Sequence, residues 1–130
     1  MQTAPRKNKT ILIADDEQFV TIAYKAGLEN AGYDVLVAAD GNEALDHVTA
    51  HRPDAVILDI IMPGMNGFEV LQVIKGDRKL ARIPVIIFSN LSQQSDKDTA
   101  QSYGADCFLV KAEVSFNDVL MHLERLLEGG

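Results

Sequence analysis

Thr10-Ile11-Leu12-Ile13-Ala14-Asp15-Asp16 is an apolar run that stops on two carboxylates, and Ala55-Val56-Ile57-Leu58-Asp59 is a second that stops on one. Runs this short, β-branched and almost wholly apolar suit strands covered on both faces, the habit of parallel sheets. Working outward, similar runs recur around Asp34–Ala38, Pro84–Phe88 and Cys107–Val110. Segments with helical spacing separate them. Glu17–Ala31 carries Val20, Ala23 and Leu28 on one stripe and ends at Gly32, a C-terminal cap. Asp40 caps the next helix with Glu43 at the reciprocal position, and Ala44, Leu45 and Val48 point inward. Asn66 and Glu69 repeat that arrangement ahead of Phe68, Leu71 and Ile74. Ser115 and Asp118 open a last helix carrying Phe116, Val119, Leu120, Leu123 and Leu126. Alternation of this kind predicts an α/β fold, a doubly wound parallel sheet with helices on both faces.

Ligands of such sheets bind beyond the carboxyl ends of the strands. Asp15, Asp16 and Asp59 all fall there, as do Ser89 after Phe88 and Lys111 after Val110. Three converging carboxylates repel one another and raise each other's pKa unless a cation lies between them. A hard divalent ion such as Mg2+, with Mn2+ as a substitute, fits oxygen ligands of this kind. The segment Ser92–Tyr103 stands apart. It offers little apolar surface beyond Ala100 and Tyr103, with Leu91 just ahead, so it is expected to be loosely held.

Bulk properties narrow the field. The chain has 130 residues, enough for one core. A net charge of −7 argues against sequence-independent nucleic-acid binding. The apolar stretches are too short to span a bilayer. The single cysteine, Cys107, excludes an internal disulfide and makes a reducing cytoplasm the default; at a strand start it reads as a small buried hydrophobe. Residues 1–8 read as a loose leader and 9–128 as the domain. His47, His51 and His122 read as surface or helix-end residues.

The Asp15-Asp16 pair, Asp59 followed by Met62-Pro63-Gly64-Met65-Asn66-Gly67, Ser89, and Lys111 preceded by Phe108 together resemble a bacterial response-regulator receiver domain, the class of the chemotaxis response regulator. The resemblance implies a five-stranded flavodoxin-like sheet of order 2-1-3-4-5 with five helices. It implies that Asp59 accepts a phosphoryl group from a phosphohistidine on a sensor histidine kinase or histidine phosphotransfer protein. Asp15, Asp16, Asp59 and the Ile61 backbone carbonyl are then the Mg2+ ligands, Asp15 acting through water. Lys111, the Ser89 hydroxyl and the backbone N–H groups of Ile61 and Asn90 hold the phosphoryl oxygens. Ser89 and Phe108 are the switch, passing the signal to the face formed by the fourth helix, fifth strand and fifth helix, where an unidentified downstream protein binds. The protein is expected to be cytoplasmic, either a monomer or a phosphorylation-dependent dimer. It would catalyse its own phosphorylation and dephosphorylation without turning over an independent substrate. A phosphotransfer intermediate and a receiver excised from a larger regulator are the alternatives.

Three departures from the family pattern carry expectations. Ala112 follows Lys111 where many receivers have proline in a cis bond; a cis non-proline bond costs about 2.5–4 kcal/mol, so a trans bond is expected. Asn90 stands where the family has a small residue and is expected to narrow access to Asp59. Ile61 and Leu91 cannot orient a water, which predicts slow dephosphorylation. A flavin- or nucleotide-binding protein is disfavoured, because the acidic loop Ala14-Asp15-Asp16-Glu17 repels phosphate and no G-x-G-x-x-G occurs. An aspartate-nucleophile phosphatase would need Asp-x-Asp after the first strand, which is absent.

Overall fold

The computed structural model describes residues 8–129. Of the expected leader, residues 1–7 lie outside that range. The strands are β1 (Thr10–Ala14), β2 (Asp34–Ala38), β3 (Ala55–Leu58), β4 (Val85–Ser89) and β5 (Cys107–Val110). The helices are α1 (Gln18–Asn30), α2 (Gly41–His51), α3 (Gly67–Gly76), α4 (Gln94–Ser102) and α5 (Phe116–Gly129), with a 3-10 turn at Lys111–Glu113. All pairings are parallel and the order is β2-β1-β3-β4-β5, as the resemblance implied.

The period of two along each strand divides the core into two layers. Leu12, Val56, Leu58, Val85 and Ile87 pack with Ala44, Val48, Leu71 and Ile74 of α2 and α3. Ile11, Ile13, Ile57, Ile86 and Phe88 pack with Leu28 of α1 and with Val119 and Leu123 of α5. Burying each such side chain stabilises the fold by about 1.5–3 kcal/mol before entropy is counted. Both faces of the sheet are therefore sealed, and only the strand ends remain for polar chemistry.

Helix starts follow side-chain chemistry. Asn66 Oδ1 accepts from the Glu69 N–H at 3.0 Å while Glu69 Oε1 accepts from the Asn66 N–H at 2.9 Å. Ser115 and Asp118 make the same reciprocal pair ahead of α5. At α2, Asp40 accepts from the Glu43 N–H at 2.8 Å, but Glu43 reaches past the cap to the Ala39 N–H at 2.7 Å. Gly32, at φ +103°, closes α1, with the Tyr33 N–H donating to the Leu28 carbonyl. Arg52 ends α2 in the same left-handed region, at φ +46°. Along α1 the inward residues are Val20, Thr21, Tyr24 and Leu28; Ala23, expected among them, is exposed because it sits too far round the helix from Leu28. Cys107 is half-buried rather than buried, since β5 is an edge strand.

Helix α4 has the thin contact its sequence predicts. Only Ala100 is buried, and Tyr103 beyond its end meets Phe68 edge-on at 6.1 Å. Its C-terminal end abuts a polar knot. Lys75 Nζ donates to the Ala81 carbonyl (3.1 Å), the Ile83 carbonyl (2.8 Å) and Asp106 Oδ2 (3.0 Å). Asp106 Oδ2 also accepts from the Val85 N–H at 2.8 Å. Gly104, at φ +95°, lies against the Lys75 stem.

Candidate functional site

The strand ladder itself brings the carboxylates together. Beyond β1 the Asp15 N–H donates to the Ala38 carbonyl at 3.0 Å, and beyond β3 the Asp59 N–H donates to the Ala14 carbonyl at 2.9 Å. These bonds fix Asp15 and Asp59 side by side at the carboxyl edge, both buried, at 3% and 5% exposure. Asp59 Oδ1 accepts from the Ile60 N–H at 2.7 Å, with the Ile61 N–H 3.4 Å away. Asp15 Oδ1 accepts from the Glu17 N–H at 2.9 Å.

Lys111, from the end of β5, closes the cluster. Its Nζ lies 2.7 Å from Asp15 Oδ2, 2.8 Å from Glu17 Oε1 and 3.0 Å from Asp59 Oδ2. Burial alone would push the Lys111 ammonium down, but its bonds to Asp15, Glu17 and Asp59 outweigh burial and its pKa is raised. Burial raises the Asp15 carboxyl, against the lowering effect of Lys111 and the Glu17 N–H. The ammonium also stands 5.8 Å from the centre of the Phe88 ring.

Asp16 is exposed and lines a cavity of about 260 Å³ with Asp59, Ser89 and Lys111. It does not join the tight group, whose members are Asp15, Glu17 and Asp59, with carboxylate oxygens all within 4.8 Å of one another. Glu17 was not singled out as a candidate from the sequence. The signal was present in a third successive acid, and the helix it precedes receives no side-chain cap from it. Ser89 is buried at 1% exposure, and its Oγ accepts from the Leu91 N–H at 3.3 Å. Ile61 is 59% exposed at the cavity rim. Phe108 is half-buried beside α4, in a second cavity with Lys97 and Ala100. The side chain of Asn90 is turned to the β5 loop, where its Oδ1 accepts from the Ala112 N–H at 3.0 Å. Among the described residues no peptide bond is cis, so the Lys111–Ala112 bond is trans as expected.

The donors fit a hard divalent cation. Asp15 Oδ2 is buried and its partner is the Lys111 ammonium, 2.7 Å away. A carboxylate oxygen already facing a cation is one that a hard divalent ion can also take. The all-oxygen donor set suits Mg2+ or Mn2+ over softer metals.

A family model described as the response regulator receiver domain matches residues 11–124. Over 104 residues the chain is 33% identical to the alkaline phosphatase synthesis transcriptional regulatory protein PhoP of Bacillus subtilis, covering 80% of this chain and 42% of that protein. It is 37% identical over 101 residues to protein PilH of Pseudomonas aeruginosa, covering 78% and 84%. Among solved structures, a CheY-like receiver domain protein from Methanospirillum hungatei superposes with a TM-score of 0.88 at 27% identity, covering 95% and 96%. The receiver domain of a signal transduction histidine kinase from Syntrophus aciditrophicus superposes at 0.86 with 34% identity, covering 93% and 91%. The chain spans about two fifths of the length of the first curated relatives it matches. Among the described residues no helix is long and apolar enough to cross a membrane.

Proposed function

The chain belongs to the response regulator receiver family of two-component signalling, and from that premise we propose that it is a phosphorylatable switch with Asp59 as acceptor. The observation that carries the reading is the 3.0 Å contact between Lys111 Nζ and Asp59 Oδ2, with Ser89 buried at the neighbouring strand end.

A carboxylate attacks an anionic phosphoryl group slowly unless charge is neutralised, so the site's work is positioning and electrostatics. An Asp59 oxygen forms the new O–P bond as the N–P bond of a phosphohistidine breaks. The electron pair leaves with the imidazole, which takes a proton. Asp16 and Asp59, the Ile61 carbonyl and, through water, Asp15 would hold a Mg2+ ion, whose charge offsets that of the phosphoryl oxygens. Glu17 lies close enough to modulate that set. Lys111 exchanges part of its carboxylate contacts for a phosphoryl oxygen, as a compact point charge does readily. The Ser89 hydroxyl and the N–H groups of Ile61 and Asn90 take the others. Movement of Ser89 leaves space that Phe108 fills, which shifts the α4, β5 and α5 face toward a downstream protein. A sensor histidine kinase or a histidine phosphotransfer protein is the donor. Water attack on the phosphoaspartate resets the switch, with no independent substrate turned over.

The test is amide NMR after addition of beryllofluoride and Mg2+. Shifts centred on Asp59, Ser89 and Phe108 and spreading into α4 are expected, and Asp59→Ala should abolish them. Absence of shifts in the wild-type protein, or identical shifts in the variant, would overturn the reading.

A further inference from the structure

Asn90 follows Ser89, and Ala112 follows Lys111. The last register pair of the β4–β5 ladder is Ser89 with Val110. One step beyond it, the Asn90 side chain accepts from the Ala112 N–H at 3.0 Å and adds a further rung made from a side chain. The bond spans 22 positions of sequence and joins the two loops that carry Ser89 and Lys111. Both halves of it are features in which this chain departs from the family pattern. A proline at 112 would have no N–H to give. A small residue at 90 would have no oxygen long enough to receive it.

The position of Asn90 adds to this. Together with Glu17 and Lys111 it lines both the Asp59 cavity and a neighbouring cavity of about 260 Å³ walled by Tyr24 and Phe88. The segment before α4 is otherwise tied to β4 by the weak Leu91 bond to Ser89 Oγ, at 3.3 Å. That bond uses a lone pair of the same hydroxyl whose O–H a phosphoryl oxygen would claim. If movement of Ser89 toward the phosphoryl group breaks it, the Asn90–Ala112 bond still ties this segment to the site.

We propose that Asn90 is a positioning residue that clasps the Ser89 and Lys111 loops together, so that the two phosphoryl-binding side chains move as one unit. The proposal rests on the receiver reading and goes beyond it. It assigns to this chain a coupling between the β4 and β5 ends that a proline-bearing loop cannot have. The Asn90 side chain need not touch the phosphoryl group, which its backbone N–H meets. It sets the separation of the two side chains that do.

The experiment is a double-mutant cycle on beryllofluoride affinity in the presence of Mg2+, using Asn90→Ala, Ala112→Pro and the double variant, with Ala112→Gly as a control that keeps the N–H. Each single loss should weaken binding about fivefold, the value of one net hydrogen bond. The double variant should be no weaker than the worse single variant, and Ala112→Gly should bind within about twofold of wild type. The Ala112 amide should also lose protection from exchange in Asn90→Ala. Independent, multiplying effects in the double variant, or wild-type affinity in Asn90→Ala, would overturn the clasp while leaving the receiver reading intact. Failure of the wild-type protein to bind beryllofluoride would overturn the receiver reading and the clasp with it.

Discussion

Gly67→Ala should damage phosphorylation from behind the site. A Cβ built on Gly67 falls 2.1 Å from the Asp59 carbonyl oxygen and 2.7 Å from Ile60 Cα. A carbon and a carbonyl oxygen rest at about 3.3–3.6 Å, so the two must part by roughly 1 Å. The neighbours that have to yield are backbone atoms of the loop carrying Asp59, and that loop is pinned by the Gly67 N–H bond to the Ile60 carbonyl at 2.8 Å. Overpacking of this kind costs about 1–3 kcal/mol, or a fall in Tm of roughly 4–15 °C for a domain of this size. A 1 Å misplacement of a reacting group slows transfer by up to about 10²-fold. Thermal unfolding and the rate of phosphorylation by acetyl phosphate, read as added mass, measure the two effects. Gly76 is the internal control: it sits at the end of the same helix with nothing within 4 Å of a built Cβ, so Gly76→Ala should stabilise by up to about 1 kcal/mol. A Gly67→Ala protein with wild-type Tm and wild-type phosphorylation rate would refute the reasoning.

Three further outcomes follow from particular residues. Arg52→Gly should raise stability by about 0.5–1 kcal/mol in a denaturant melt, because relief of the left-handed backbone outweighs glycine's extra entropy in the unfolded chain; an unchanged midpoint would count against strain there. The Asp118 carboxyl lies below its ordinary 3.8 because it accepts from the Ser115 backbone N–H and is also bonded to the Ser115 side chain. A depressed carboxyl stabilises above its unfolded pKa and loses that contribution as pH falls through the lower folded value, so the first turn of α5 should lose amide protection below about pH 4 and in Asp118→Asn at any pH. Ile61→Asn combined with Leu91→Glu should shorten the phosphoaspartate half-life, measured by loss of phosphorylated mass, since both positions line the Asp59 cavity; a half-life as long as wild type would contradict the proposed slow hydrolysis.

The fold was legible because the strands are near-continuous apolar runs and four of the helix boundaries carry strong local chemistry. Asp40, Asn66, Ser115 and Gly32 each do in the structure what their residue type favours. Asp15, Asp59, Ser89 and Lys111 were legible as neighbours at a candidate site because the strand ends put them on one edge. What could not be read was direction. A strand end says that Asp16 and Glu17 are nearby, but only the backbone after Ala14 decides that Glu17 turns to Lys111 while Asp16 faces solvent. Asn90 lines the Asp59 cavity, but its side-chain oxygen is committed to an N–H contributed by a residue 22 positions away, a pairing no local pattern announces. Ala23 and Cys107 were misjudged for a similar reason, since burial at the margin of a stripe or on an edge strand depends on neighbours.

The knot around Lys75 gives α4 a mechanical character. Gly104 and Asp106, just past the helix, are fixed to it through the lysine stem, two carbonyls and the start of β4. At the other end, the segment leading into the helix is held by the Leu91 N–H bond to Ser89 Oγ at 3.3 Å and by the Asn90–Ala112 bond at 3.0 Å. A rod held firmly at one end and less firmly at the other would pivot. Under the proposed switch, a pull at Ser89 would act through the whole helix length, with travel greatest beside the site and smallest at the fulcrum on Lys75.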